Sequence, residues 1–343
     1  MSTLKTTNLQ NASAASPAIV LAADGSATAN LSSVNGGAIA GSRNHIINGD
    51  MRIDQRNAGA SVTPTADGST FPVDRWKARL SQSSKYSAQR NSSIVPSGFT
   101  HSLAITSLSA YSVTASDYFA VEHLVEGFNM SDLGWGTASA KSVTVSFWVR
   151  SSLTGTFGGS VINGSPFDRS YPFTYTISAA NTWEYKTVSI SGPTTGGWNS
   201  DNTIGLSVFI GLGVGSSFSG TAGSWANSAL LSVTGATSVV GTNGATFYIT
   251  GVQLEPGTIA TPFERRSYGQ ELALAQRYYQ ASGFMVNNAG SVYTNYFFKQ
   301  PMRAVPTVTT SSSSPSSTTV DGFYLGPVGS AIGGVAITAS AEL

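Results

Sequence analysis

VTVSFWV, residues 143–149, is the stretch whose reading decides the fold. Side chains of an extended chain alternate between the two faces of a sheet. Val143, Val145, Phe147 and Val149 then point one way, and Thr144, Ser146 and Trp148 point the other. One apolar and one mixed face mark a strand that buries a single side. SVFIGLGV repeats the device, with Val208, Ile210, Leu212 and Val214 on one face. HSLAITSL, YFAVEHLVEG, PFTYTIS, WEYKTVSI and TFYITGVQL follow suit, roughly nine such segments between residues 46 and 254 with turn signals between them. No helix-period pattern falls among them, so the expectation is a mainly β chain whose body is an antiparallel, jelly-roll-like β-sandwich, without βαβ units.

Composition agrees with that expectation. Charged residues make up 10% of the 343, against about 25% in an ordinary globular domain. Glycine, serine and threonine supply the polarity, as suits many turns and a hydroxyl-rich surface. The net charge of +1 creates no field toward nucleic acid or an anionic membrane. Locally, residues 43–90 hold eight basic and four acidic side chains, and residues 117–132 hold four acidic and no Lys or Arg, a pattern read as solvated faces or internal ion pairs. With no cysteine there is no disulfide framework and no thiolate site. The start, MSTLKTTNLQNAS, has no apolar signal region, and the longest apolar run, IGLSVFIGLGVG, is too short and too interrupted to span a bilayer. A soluble chain without membrane insertion is expected.

Charge is concentrated in one place. Glu255, Glu264, Arg265, Arg266, Glu271 and Arg277 fall within 23 residues, after 68 residues (187–254) whose sole charge is Asp201. This stretch also carries the helix signals. Ser267 and Gln270 have capping-box spacing, Glu271 lies in the first turn, and Tyr268, Leu272, Ala275 and Tyr279 form an apolar stripe. With Arg277 in the last turn and Gly283 beyond it, a connecting helix of about fourteen residues is predicted within 267–282. The organisation expected is an N-terminal attachment segment and linker (1–42) with a hairpin turn at Asp24-Gly25, a sandwich (43–266), the helix, and a small C-terminal β region (283–343). In that last region, a hairpin around residues 287–290 leads to a strand, and a Ser/Thr-rich loop leads to a terminal strand.

Catalytic signals are sparse. His45, His101 and His123 have no metal spacing, and His123 reads as a strand residue satisfied by a hydrogen bond. Gly211 to Ser217 sit inside a strand alternation with no helix after them, so the glycines there serve packing or a bulge rather than phosphate binding. Glu122 and Glu126 share a strand face and are read as exposed charges rather than an acid and base pair. Asp50, Asp54, Asp201 and Glu255 could supply oxygens to a structural calcium ion, although no Asp-x-Asp-x-Asp-Gly loop is present. No cofactor is expected. Trp135, Trp198 and Trp225 stand in Gly/Ser/Asn surroundings; with Asp201 they are candidate glycan contacts, where aromatic faces stack on sugar rings, or anchors for loop packing. Trp76, Trp148 and Trp183 lie in strands and are read as structural.

The ordered series NHIINGDMRIDQRNAG, FPVDRWKA, VTVSFWVRSS, WEYKTVSISG, FYITGVQLEPGTIATPFERRSYGQELALAQRYYQ, QPMRAVPTVT and terminal ASAEL resembles bacteriophage tail-fibre and related virion fibre proteins over residues 44–343. The opening STLKTTNLQNASAASPAIVLAADGSATANL looks like the start of marine-phage fibre proteins, and the run from SLAITSL to YITGVQLEPG resembles carbohydrate-binding-module jelly rolls. The resemblance implies a non-enzymatic virion protein, a homotrimer joined to other virion proteins through residues 1–42, involved in host attachment through surface glycans. A head-fibre or capsid decoration protein, or a tailspike-type glycan depolymerase, is the alternative. Glu264, Arg265, Arg266, Glu271 and Arg277 are expected to form a joint between the helix and the sandwich or an adjacent subunit, where arginine contacts fix geometry.

Overall fold

The computed structural model describes residues 8–9, 19–21, 27–29, 43–286, 294–311, 314–326 and 333–343. Ten strands form the body: β1 (Trp76–Leu80), β2 (Tyr86–Asn91), β3 (Ser102–Ser107), β4 (Tyr118–Glu126), β5 (Val143–Ser151), β6 (Gly155–Asn163), β7 (Ser170–Ile177), β8 (Glu184–Ile190), β9 (Ile204–Val214) and β10 (Thr246–Pro256). They make two five-stranded sheets, ordered β7-β6-β9-β4-β1 and β8-β5-β10-β3-β2. Every pairing within them is antiparallel. This is the expected β-sandwich.

The core lies between the sheets. Val143, Val145, Phe147 and Val149 are fully buried and share one cluster with Phe157, Val161, Phe173, Val208, Ile210 and Leu212. Burying each such side chain stabilises the fold by about 1.5–3 kcal/mol. Val214 departs from the expected alternation and packs in a separate outer cluster with Ala120, Ile162, Phe209 and Leu231. The cause is a register shift between Gly211 and Gly213, where an extra residue turns the following side chains over. A bulge is the role foreseen for these glycines.

A second shift, between Thr250 and Gln253, divides β10. Its first part, residues 246–249, pairs with β3. Beyond the bulge the 44–49 segment takes over: the His45 N–H donates to Leu254 at 2.9 Å, and the Val252 N–H donates to Gly49 at 2.9 Å. A Cβ on Gly49 would stand 2.1 Å from the Val252 carbonyl oxygen. The sequence NGD therefore marks a point of backbone contact.

The helix α1 spans Tyr268–Gln276, nine residues rather than about fourteen, and the capping box at Ser267 and Gln270 is formed. Tertiary pairing ends it early: Tyr279 already lies opposite Ser340 in β11 (Tyr279–Val286), and Gly283 lies inside that strand. The apolar stripe also differs. Tyr268 is 56% exposed, and the buried helix residues are Glu271, Ala275 and Gln276.

Downstream, the Ser/Thr-rich stretch contains strands where a loop was expected. β12 (Thr294–Phe297), β13 (Thr307–Thr310), β14 (Pro315–Ser316), β15 (Gly322–Leu325) and β16 (Gly333–Ser340) build two small sheets, β11-β16-β13 and β12-β15-β14. The turn expected at 287–290 lies outside the described residues; of its flanking strands, β11 pairs with β16 and β12 with β15. In the N-terminal segment, Asn8–Leu9, Ile19–Leu21 and Ala27–Ala29 form a three-stranded sheet. The Asp24-Gly25 turn and the linker lie outside the described residues.

Candidate functional site

The charges at the helix entry meet partners inside the chain. Glu264 accepts from the Asn44 N–H at 2.7 Å. Arg266 donates to the carbonyls of Ile46, at 3.1 Å, and Asn44, and lies 3.4 Å from Glu271. Glu271 accepts from the Asn48 N–H, and burial pushes its carboxyl pKa up against the pull of Arg266. Arg277 makes a two-pronged contact with Glu126 of β4, at 2.7 and 3.2 Å, and the Tyr278 hydroxyl donates to the same carboxylate at 2.7 Å. Arg265 lies 4.7 Å from the Phe99 ring centroid and donates to Gly98 at 2.5 Å. These contacts tie α1 to the 44–48 segment, to β4 and to the loop at 98–99. A cleft of about 650 Å³ runs beside them, between α1 and Gln300-Pro301.

The three loop tryptophans come together. Trp135, Trp198 and Trp225 pack edge to face on one another, with ring centroids 4.7, 5.6 and 5.5 Å apart. Each indole N–H is used within the chain: Trp135 donates to Lys141 at 2.8 Å, Trp198 to Thr195 at 3.3 Å and Trp225 to Ser191 at 2.8 Å. Trp135 is only 6% exposed and belongs to the core, so no open ring face is left there for a sugar, contrary to its nomination. Trp198 and Trp225 are half-buried against the same core. The packing of this trio favours a loop anchor that closes one end of the sandwich. Asp201 is exposed and accepts from the Thr203 N–H and hydroxyl at 2.9 and 2.5 Å; these bonds lower its pKa and fix the turn into β9.

A different aromatic group lies on an outer sheet face, with Tyr185 as its exposed ring. On the outer face of the sheet containing β5, Trp148 stands opposite Tyr185 of edge strand β8 on one side and Thr250 on the other. The Trp148 and Tyr185 centroids are 5.4 Å apart, and Tyr185 is 42% exposed. One step along, Tyr248, buried at 8% exposure, faces Arg150, whose guanidinium lies 5.2 Å from its ring, and Trp183 packs 6.4 Å from Tyr248. Thr187 and Ser189, exposed on the same face of β8 as Tyr185, add hydroxyls beside the rings. Trp148 and Trp183, read from the sequence as structural, are half-buried and pack on Tyr185 and Tyr248. The signal for this outer face was in the opening stretch: Trp148 falls on the face opposite the core.

The remaining candidates are internal. Glu122 and Glu126 are buried, not exposed, and are paired with Arg79 at 2.8 Å and Arg277 at 2.7 Å. His123 is buried with its Nε2 3.0 Å from the Ile47 carbonyl oxygen and its ring edge-on to Trp76. The four carboxylates considered for calcium are spent separately. Asp50 pairs with Arg52 at 2.5 Å, Asp54 accepts from the Asn57 and Gly59 N–H groups, Glu255 accepts from Thr261, and Asp201 holds Thr203. Among the described residues no three His, Cys, Asp or Glu side chains gather where they could hold a metal ion.

No protein-family model matches the sequence, and no curated protein matches it. Solved structures do show likeness. The family 11 carbohydrate-binding module of a cellulosomal cellulase from Clostridium thermocellum is 11% identical over 59% of this chain and 98% of that one, with a TM-score of 0.29. A family 61 carbohydrate-binding module in complex with β-1,4-galactotriose is 12% identical over 62% and 99%, with a TM-score of 0.30. The enzymatically active domain of tailspike protein 4 of bacteriophage CBA120 is 9% identical over 53% of this chain and 19% of that chain, with a TM-score of 0.30. Identities and scores this low say nothing about a ligand for this chain. Its sandwich architecture rests on its own strand order and register.

Proposed function

We propose that this chain is a non-enzymatic, glycan-binding virion fibre protein, most simply a tail fibre, whose outer aromatic sheet face meets a host-surface polysaccharide. The observation that carries the glycan reading is the outer-face group of exposed Tyr185 and half-buried Trp148 and Trp183, with Arg150, Thr187 and Ser189 beside it. Aromatic faces take the C–H side of pyranose rings while hydroxyls and a guanidinium take their polar edges. Supporting the non-enzymatic part, Glu122 and Glu126 are each committed to an arginine and do not line an open groove as a free pair. The virion part is supported by the ordered motifs of residues 44–343, several of which meet at one joint: Asn44 to Asn48, the end of β10, Arg266 and Glu271 are linked by hydrogen bonds. On this reading residues 1–42 attach the chain to the particle, and three copies form the fibre.

Competition for phage adsorption tests the proposal. Purified, assembled protein should block adsorption to host cells, and a Trp148→Ala/Tyr185→Ala variant of unchanged oligomeric mass should not. Equal blocking by both proteins would remove the aromatic face from the account, and release of reducing ends from host polysaccharide would overturn the non-enzymatic assignment.

A further inference from the structure

A second recess, of about 260 Å³, opens where the 44–47 segment, the 128–132 turn and the entry of α1 meet. That is just under the roughly 300 Å³ at which drug-sized sites begin, so it suits one ring rather than a chain. In its wall the side chains of His45 and Arg266 are only 6% and 10% exposed. His45 Nε2 and Arg266 Nε are both buried with no hydrogen-bond partner. Each such atom costs about 1–3 kcal/mol, and both belong to residues that line this recess.

The polarity of each atom follows from its surroundings. Burial lowers the His45 pKa, against the opposing effects of Asp132 and a hydrogen bond to the Asn129 backbone. The ring is therefore neutral at pH 7. In the neutral ring protonated at Nδ1, Nε2 is a free acceptor. Asp132 Oδ2 stands 3.8 Å from Nε2, too far for a hydrogen bond, on a side chain 52% exposed. Arg266 Nε–H is a donor. Phe128, 58% exposed, forms an apolar wall with Ile47 and Leu274.

We propose that this recess binds the terminal ring of a saccharide through a vicinal diol. One hydroxyl donates to His45 Nε2, its neighbour donates to Asp132, Arg266 Nε–H donates to a hydroxyl oxygen, and the ring C–H groups lie on Phe128. Two acceptors 3.8 Å apart receive one hydroxyl each from adjacent ring carbons. The site stands apart from the aromatic sheet face, and neither depends on the other.

Saturation-transfer NMR and calorimetry on the full chain test it, with the methyl pyranosides of glucose, galactose, mannose and fucose, cis- and trans-cyclohexane-1,2-diol as bare diols, and cyclohexanol as the single-hydroxyl control. At least one diol should bind while cyclohexanol does not, and Asp132→Asn and Phe128→Ala should each weaken binding by about tenfold. Both side chains are more than half exposed, so these variants keep the test open should His45→Ala fail to fold. Trp148→Ala/Tyr185→Ala should leave the affinity unchanged, which separates this site from the sheet face. Binding by no diol, or binding that survives both single variants, would overturn the proposal. So would Zn²⁺ saturating His45 while every diol fails, which would assign the recess to a metal ion.

Discussion

Gly251 adopts a φ of +62°, and a Cβ there would stand 2.6 Å from the Phe99 ring. Only glycine meets both demands, because a side chain would add left-handed strain to a clash beneath the aromatic face. Gly251→Ala should cost about 2–3 kcal/mol, read as a lowered chemical-denaturation midpoint with an unchanged slope; a cost near zero would mean the bulge is not needed. His123 sets a pH limit. Burial first, and Arg75 second, hold its pKa well below the ordinary value of 6.5. The native state thus keeps the ring neutral, so this stability is complete above 6.5 and is lost as pH falls below 6.5 toward the folded-state pKa. The loss is about 1.4 kcal/mol per pH unit for one proton. His45 is shifted the same way. Thermal denaturation should give a lower Tm at pH 5 than at pH 7, and His123→Gln should flatten that dependence; an identical pH profile in the variant would contradict the assignment.

At the scale of elements, the joint between α1 and the sandwich depends on Glu126, whose side chain is fully buried while Arg277 is 36% exposed. Arg277→Met would leave the carboxylate with the Tyr278 hydroxyl as its remaining partner among these contacts. Removing one member of a buried pair costs about 3 kcal/mol, so this variant should unfold earlier in denaturant, and Glu126→Gln/Arg277→Met should recover part of the loss. A single variant as stable as the parent would show the pair to be dispensable. What was legible in the sequence followed from local physics. The alternation of residues 143–149 fixed a strand and its core face, and Ser267 with Gln270 fixed where a helix starts. The end of that helix was not legible, because Tyr279 leaves it to pair with Ser340, sixty-one positions away. The outer aromatic face was half legible: the phase of Trp148 was plain, but its neighbours Tyr185 and Thr250 arrive through strand pairing, which no short window of sequence specifies.

Across the whole molecule, the C-terminus is a structural tie. Glu342 pairs with Arg56 at 3.0 Å and with Arg75, whose side chain is 1% exposed and lies 3.6 Å over the Tyr278 ring. Arg303 donates to the carbonyls of Ala341, Glu342 and Asn202, which joins the small C-terminal sheets to the turn before β9. The terminal ASAEL thus locks a region too small for a large core of its own onto the sandwich. Glu342→Ala would strand the Arg75 charge, so it should cost about 3–5 kcal/mol and open the C-terminal sheets to limited proteolysis before the sandwich; simultaneous cleavage throughout would contradict this order. The sandwich itself then serves as a rigid support for its outer aromatic face. The most direct test of that role is calorimetric titration of the purified chain with host-surface polysaccharide, beside the Trp148→Ala/Tyr185→Ala variant. The account predicts saturable binding by the parent, weakened by about 2 kcal/mol or more, roughly thirtyfold, in a variant of unchanged Tm. Equal binding by both proteins, or none by the parent, would contradict it.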